Sequence, residues 1–298
     1  MPPQSIDREA LPTFNAKVGL DDAAHAKARL QPSRWIVGAT LGVVCLGLAH
    51  FLVTNPHLEW GVVGEYLFAK PILDGLVTTL WLTTISMAFG IVLGIVIGMG
   101  RISSFALVRV PAATFVWFFR GIPPLVQLIF WFNLAYLVPR IGLGVPFGPE
   151  LQSWSTNDLI TPFMAAVLGL TLHEAAYMAE ITRAGLLSVN PGQRDAARTL
   201  GFTPGQAFRV IVFPQALRVM IPPTGSQVMG MLKGTSLVSA IGVGELLYAA
   251  QTVYSRTFQV VPLLLVVCIW YLAVIGLLSI IQSRLEQRYE RGFGTNKW

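Results

Sequence analysis

The sequence predicts an all-α integral membrane protein with about six transmembrane helices, and three observations lead there. The first is composition. Of 298 residues, 54% are hydrophobic and 12% charged, about half the charge of an ordinary soluble domain, and the mean hydropathy is +0.62. A water-soluble fold would leave too much apolar surface to hide. The second is run length: several apolar segments reach the ~20 residues a helix needs to cross ~30 Å of hydrocarbon. About six such spans plus tails use the whole chain and leave little for a soluble catalytic domain. The third is the placement of charge. A formal charge of +6 could suit a nucleic-acid binder, but the basic residues are dispersed between apolar runs and form no compact patch.

Residues 1–33, with Pro2, Pro3, Asp7, Arg8, Asp21 and Asp22, read as a cytoplasmic tail. The first apolar run starts too late for a cleaved signal peptide. Trp35 to Thr54 is the first span, and residues 34–72 make an N-terminal helix with an external loop. Ile72 to Met99 exceeds one crossing, which implies tilt, and Gly90, Gly94 and Gly98 offer a flat face for close helix packing. Ile122 to Val138 is the third span, and the Pro- and Gly-rich stretch from Pro139 to Pro162 an external loop. Pro162 to Ala184, Ile221 to about Ala240, and Val260 to Ile281 complete the set, with 285–298 as a cytoplasmic tail. Cys45 and Cys268 both lie in apolar runs, so neither a disulfide nor a metal site is indicated.

Basic residues set the orientation. With the N-terminus inside, the cytoplasmic segments hold Arg8, Lys17, Lys27, Arg29 and Arg34, then Arg101, Arg109 and Arg120. Arg183, Arg194, Arg198, Arg209 and Arg218 follow, then Arg284, Arg288, Arg291 and Lys297. Lys70, Arg140, Lys233 and Arg256 fall elsewhere. This obeys the positive-inside rule and places both termini in the cytoplasm. Trp60, Tyr66, Trp154 and Tyr254 flank the expected outer ends as interfacial aromatics do.

Between the fourth and fifth spans, Val189 to Pro223 is too long for a structureless loop, and its punctuation predicts two short helices. Asn190 caps a helix whose first residue is Pro191, Gly201 ends it in a left-handed conformation, and Thr203 with Pro204 repeats the start signal. The first helix would show Ala196, Ala197 and Leu200 on a small apolar face ringed by Arg194, Asp195 and Arg198, a surface able to enter a shallow groove on a partner.

Asp195-Ala196-Ala197, then Gly201, Ile211 and Pro214, resembles the EAA loop of bacterial ABC importer permeases. Three more segments narrow the resemblance to the polar amino acid permeases, the histidine, glutamine, arginine and opine type. Phe119-Arg120-Gly121-Ile122-Pro123-Pro124-Leu125-Val126-Gln127-Leu128 is similar to their FRGTPLLVQL. Ala176-Tyr177-Met178-Ala179-Glu180-Ile181 and Leu232-Lys233-Gly234-Thr235-Ser236-Leu237 are similar to their AY-x-AEI and LKDTSL. Asp195 replaces the family's Glu with charge kept, Ile122 and Pro124 alter the second motif, and Gly234 replaces an Asp beside Lys233, which bears on substrate charge preference.

The resemblance implies a five-helix ABC type I importer core over residues 73–284, preceded by one extra N-terminal span. Its coupling loop, 189–220, would dock on the ATPase through Asp195, Ala196, Ala197, Gly201, Ile211 and Pro214. It implies a multi-pass permease of the bacterial inner membrane that moves a polar amino acid, or a related compound such as an opine. The partners implied are a dimer of ABC ATPase subunits, a second permease chain, identical or related, and an extracytoplasmic amino acid-binding protein. No cofactor would bind this chain, and ATP and Mg would be used by the partner ATPase.

Glu174 and Glu180 in the fourth span and Lys233 in the fifth would each cost ~3 kcal/mol against lipid, so each should face protein or a wet cavity. Glu174, Tyr177 and Glu180 fall near one helical stripe. Glu174 and Tyr177 with Lys233, Thr235 and Ser236 form a candidate substrate pathway, Glu180, Arg120 and Pro123 being instead structural or gating candidates. The structural reading stands beside it: Glu180 pairs with Arg183 one turn away, Lys233 satisfies backbone carbonyls, Thr235 and Ser236 bond their own helix, and Arg120 snorkels to lipid phosphate. His173-Glu174 begins a zinc motif that Tyr177 interrupts, and the spacing before Lys233 is wrong for a phosphate loop. An ion- or proton-coupled secondary carrier remains as the alternative; it would favour inverted repeats or a buried acid relay. A membrane enzyme would need a nucleophile or metal constellation among the spans, and none is evident.

Overall fold

The computed structural model describes residues 32–144 and 150–290. Most of the two tails expected from sequence lies outside them. The chain divides into two units between Pro56 and His57. The first holds helix α1, Pro32–Thr54, whose 23 residues span ~34 Å at 1.5 Å per residue, enough for one crossing.

A 3-10 turn at Pro56–Leu58 straddles the boundary, and the second unit continues with helix α2, Trp60–Leu67. Sequence reading grouped this stretch with the first helix. In the structure Val63 packs with Ile72, Leu76, Leu246, Leu263 and Val266, and Trp270 Nε1 donates to the Leu67 carbonyl at 2.8 Å. Residues 57–72 are therefore packed into the second unit.

Helix α3, Lys70–Arg101, is the long element expected, with 32 residues. Helix α8, Pro162–Leu187, lies along it. A Cβ on Gly90 would sit 2.9 Å from Glu174 Cγ, one on Gly94 2.9 Å from the Ala175 carbonyl, and one on Gly98 2.6 Å from Thr182 Cβ. Each four-residue step on α3 is matched by four on α8, so the two helices run parallel, their backbones close because the glycines carry no side chain.

Parallel neighbours require a return path, and the elements between them supply it. These are α4 (Ala106–Gly121), α5 (Pro124–Phe132), α6 (Leu134–Leu137), strands β1 (Arg140–Gly144) and β2 (Glu150–Ser155), and α7 (Thr156–Leu159). Two sequence expectations change here. Ile122 to Val138 is not one continuous helix: α5 has nine residues, ~14 Å, and Asn133 separates it from α6, while at its start Ile122 is extended at φ −99 and ψ 133 and α4 meets α5 at 101°. Pro123 and Pro124 cause the corner between α4 and α5, since proline disfavours helix at the preceding residue and lacks the backbone donor. The stretch expected as an external loop, in turn, contains an antiparallel hairpin pairing Arg140 with Ser155 and Ile141 with Trp154.

After α8 come α9 (Pro191–Thr199), α10 (Pro204–Ala207), a π-helical turn (Phe208–Val212) and α11 (Phe213–Gly234). A 3-10 stretch (Thr235–Ile241), α12 (Leu246–Thr257) and α13 (Val260–Glu290) complete the chain. Helix α11 starts about two turns before the Ile221 expected and runs through Pro222 and Pro223; membrane helices accommodate proline where neighbours satisfy the freed groups. Helix α13 continues past Arg284 to Glu290, so the expected tail boundary falls within a helix. Among the described residues α1, α3 and α13 are long and apolar enough to cross a membrane, or up to five spans if each bent pair counts as one. Helix α8 has the length, with 26 residues, but carries Glu174, Glu180 and Arg183.

Candidate functional site

The loop after α8 is built as its punctuation foretells. The Asn190 side chain accepts from Gly192 N at 2.8 Å, Pro191 occupies the first turn, and Gly201 ends the helix at φ 79, where a glycine carries no Cβ strain. Thr203 and Gln206 form a reciprocal capping box. Arg194 Nη2 donates to the Leu186 carbonyl at 3.0 Å, tying α9 to the end of α8. Under the loop, Leu186, Val189, Val212, Ala216 and Met220 make a small core, which sequence reading did not list.

That anchoring divides the apolar face expected on α9. Ala197 is 1% exposed and turned inward, whereas Leu200 is 75% exposed and Ala196 is also exposed. Ala197 therefore holds the loop to its own chain rather than facing a partner. Asp195 and Arg198 form an exposed pair at 3.8 Å, worth little energetically. Ile211 is half-buried in the π-helical turn and Pro214 lies exposed in the first turn of α11.

Glu180 is the centre of a second cluster. Arg183 Nε donates to its Oε2 at 2.8 Å, Arg101 pairs with its Oε1, and Arg120 Nη1 lies 3.7 Å from that oxygen. The intrahelical pair was expected; Arg101 and Arg120 were not, because they arrive from the ends of α3 and α4. Arg120 also lies over the Tyr177 ring, 5.0 Å from its centroid, a favourable cation–π arrangement. Tyr177 contacts His173, ring centroids 5.0 Å apart. Beside them the Gln127 amide donates to the Phe119 and Ile122 carbonyls, each at 2.8 Å, and approaches His173 Nδ1 at 3.3 Å. Gln127 thus closes the corner that Pro123 opens.

The remaining polar candidates do not converge. Glu174 is 4% exposed and faces Gly90; its Oε1 has no hydrogen-bond partner among the described residues. Lys233 is exposed, contrary to the expectation that it faces the interior. Thr235 donates to the Leu232 carbonyl at 2.7 Å and Ser236 to the Lys233 carbonyl at 2.8 Å, so both hydroxyls serve their own helix. A shared lining of Glu174, Tyr177, Lys233, Thr235 and Ser236 is not assembled in the single chain.

Sequence reading passed over Glu245. It is fully buried and caps α12, accepting from Leu247 N at 3.0 Å and Tyr248 N at 2.8 Å, with Tyr271 OH donating at 3.3 Å. The signal was present: an acid after Gly242 and Gly244 and before an apolar helical run.

Apolar helices closed on a glycine seam, with a capped helical loop presented at one end, fit the membrane subunit of a transport system. The sequence profile for "Binding-protein-dependent transport system inner membrane component" matches residues 90–291, and the chain belongs to that family. It is a permease subunit of an ABC importer; ATP is hydrolysed by a separate subunit. The arginine transport system permease protein ArgU of Corynebacterium glutamicum is 38% identical over 90% of this chain and 84% of its own length. The glutamine transport system permease protein GlnP of Escherichia coli is 34% identical over 78% and 98%. A crystal structure of an amino acid ABC transporter with histidines superposes with TM-score 0.64 at 29% identity, covering 76% of this chain and 97% of that one. An inward-facing MetNI methionine ABC transporter, at TM-score 0.59 and 20% identity over 74% and 99%, shares the fold.

Proposed function

We propose that the chain translocates a polar amino acid, or a close relative such as an opine, across the bacterial inner membrane as the permease of an ATP-driven importer. The observation that carries this is α9: a capped helix held by Ala197 and Arg194, with Leu200 and Ala196 free to enter a groove on an ATPase subunit. The similarity to permeases named for arginine and glutamine supports the substrate class. In this reading both termini are cytoplasmic, residues 73–284 form the shared core, and two permease chains stand over two ATPase subunits that use ATP and Mg. An extracytoplasmic binding protein delivers the substrate. Glu174 and Tyr177 contribute to the pathway from α8, and Lys233 with Ser236 does so in the assembled pair, where exposed Lys233 meets the second chain, while buried Thr235 holds the backbone that presents them. ATP-driven closure of the ATPase pair shifts the coupling helices and reorients the bundles as rigid bodies.

The test is purification of the tagged chain in mild detergent, followed by ATPase measurement on the complex. Recovery of an ATPase whose turnover rises with a binding protein and one amino acid supports the reading and identifies the substrate. Recovery of the folded chain alone, from cells expressing the neighbouring subunits, overturns it.

A further inference from the structure

Three arginines converge on one carboxylate. Arg101 from α3, Arg120 from α4 and Arg183 from α8 all pair with Glu180, so the group keeps two positive charges that no acid among the described residues balances. The side chains of Arg120 and Arg183 are 43% and 36% exposed, leaving guanidinium donors free. A guanidinium fork suits phosphate oxygens.

The surroundings decide what kind of phosphate. Helix α4 turns Leu107 and Trp117, each 75% exposed, and Val110, 57% exposed, outward. Such a face on a single permease chain meets lipid tails or a second chain, and the two unbalanced positive charges beside it favour an anionic lipid. Trp117 lies three residues before Arg120 and shares its face, so an interfacial aromatic stands beside the positive group at the 101° corner between α4 and α5. Basic pockets between transmembrane helices, flanked by lipid-facing apolar surface, are lipid headgroup sites by physical chemistry.

We infer that Arg101, Arg120 and Arg183 form a site for the headgroup of one anionic phospholipid, whose acyl chains lie along the Trp117 face of α4. The lipid phosphate supplies the negative charge the cluster lacks and ties α4 to the ends of α3 and α8.

The permease complex is reconstituted in nanodiscs of phosphatidylcholine containing a few per cent phosphatidylglycerol, and the lipid retained after gentle detergent release is counted by native mass spectrometry. The wild-type chain is expected to retain phosphatidylglycerol well above its bulk share, and Arg120→Gln to lower that enrichment several-fold, whereas Arg109→Gln on the same helix leaves it unchanged. Glu180→Gln removes the internal competitor and is expected to raise retention; a purely structural ion-pair hub would lose stability without that gain. No enrichment in the wild type, or equal losses in the two arginine variants, overturns the site. Thermal protection by millimolar inorganic phosphate equal to that by phosphatidylglycerol overturns the lipid assignment in favour of a soluble anion.

Discussion

The α3/α8 seam and the α9–α10 loop hold their shapes by opposite means. In the seam, contact depends on what is missing: at Gly90, Gly94 and Gly98 even one Cβ collides with α8. In the loop, shape depends on what is added, an Asn190 cap, a Thr203–Gln206 box and one inward alanine. A region built on absent atoms tolerates no enlargement, whereas one built on caps yields in small steps. Substitutions in the two regions should therefore differ in size.

The largest effect is expected at the seam. Gly94→Leu places a branched side chain against the Ala175 carbonyl and Met178, and overpacking of this kind costs ~1–3 kcal/mol or more; loss of a monodisperse peak in detergent checks it, and a normal melting temperature would break the comparison. Next is Ala197→Glu, which buries a charge beneath α9. Stability should fall by a few kcal/mol, about the penalty for an unpaired buried charge after relaxation, with proteolysis opening at the loop while α3 and α8 stay intact. Thr203→Ala removes one cap and should cost ~1 kcal/mol, seen as faster hydrogen exchange confined to α10. Leu200→Ser, at an exposed position, should leave the melting temperature unchanged yet lower substrate-stimulated ATPase turnover several-fold. Glu174→Gln sharpens the contrast from the seam side. Its Oε1 has no hydrogen-bond partner among the described residues, so stability should hold or rise slightly while uptake slows; a clear drop in melting temperature would assign Glu174 to packing.

How much was legible follows the same division. Four-residue glycine spacing and the Asn-Pro and Thr-Pro starts are local signals, and both were readable. The inward turn of Ala197 was not, because it depends on how α9 folds back on the end of α8, where Arg194 ties it to Leu186. Arg101 and Arg120 joined Glu180 from other helices, and no spacing along α8 reports that. The Ile122–Val138 stretch was drawn too long because apolar content sets membrane affinity and does not report that α5 ends at Asn133. Lys233 was placed inward by its cost in lipid, a cost that a second chain can also remove.

The parallel course of α3 and α8 bears on biosynthesis. Arg101 and Glu180, at matching ends of the two helices, are separated by 79 residues. At ~5–20 residues per second of translation, α3 waits ~4–16 s in the bilayer before α8 emerges. During that interval the glycine face is bare and open to the wrong neighbour, including the same helix of another nascent chain. Slowing synthesis between the two, by rare codons in the hairpin, should lower the yield of correctly assembled protein without changing one amino acid.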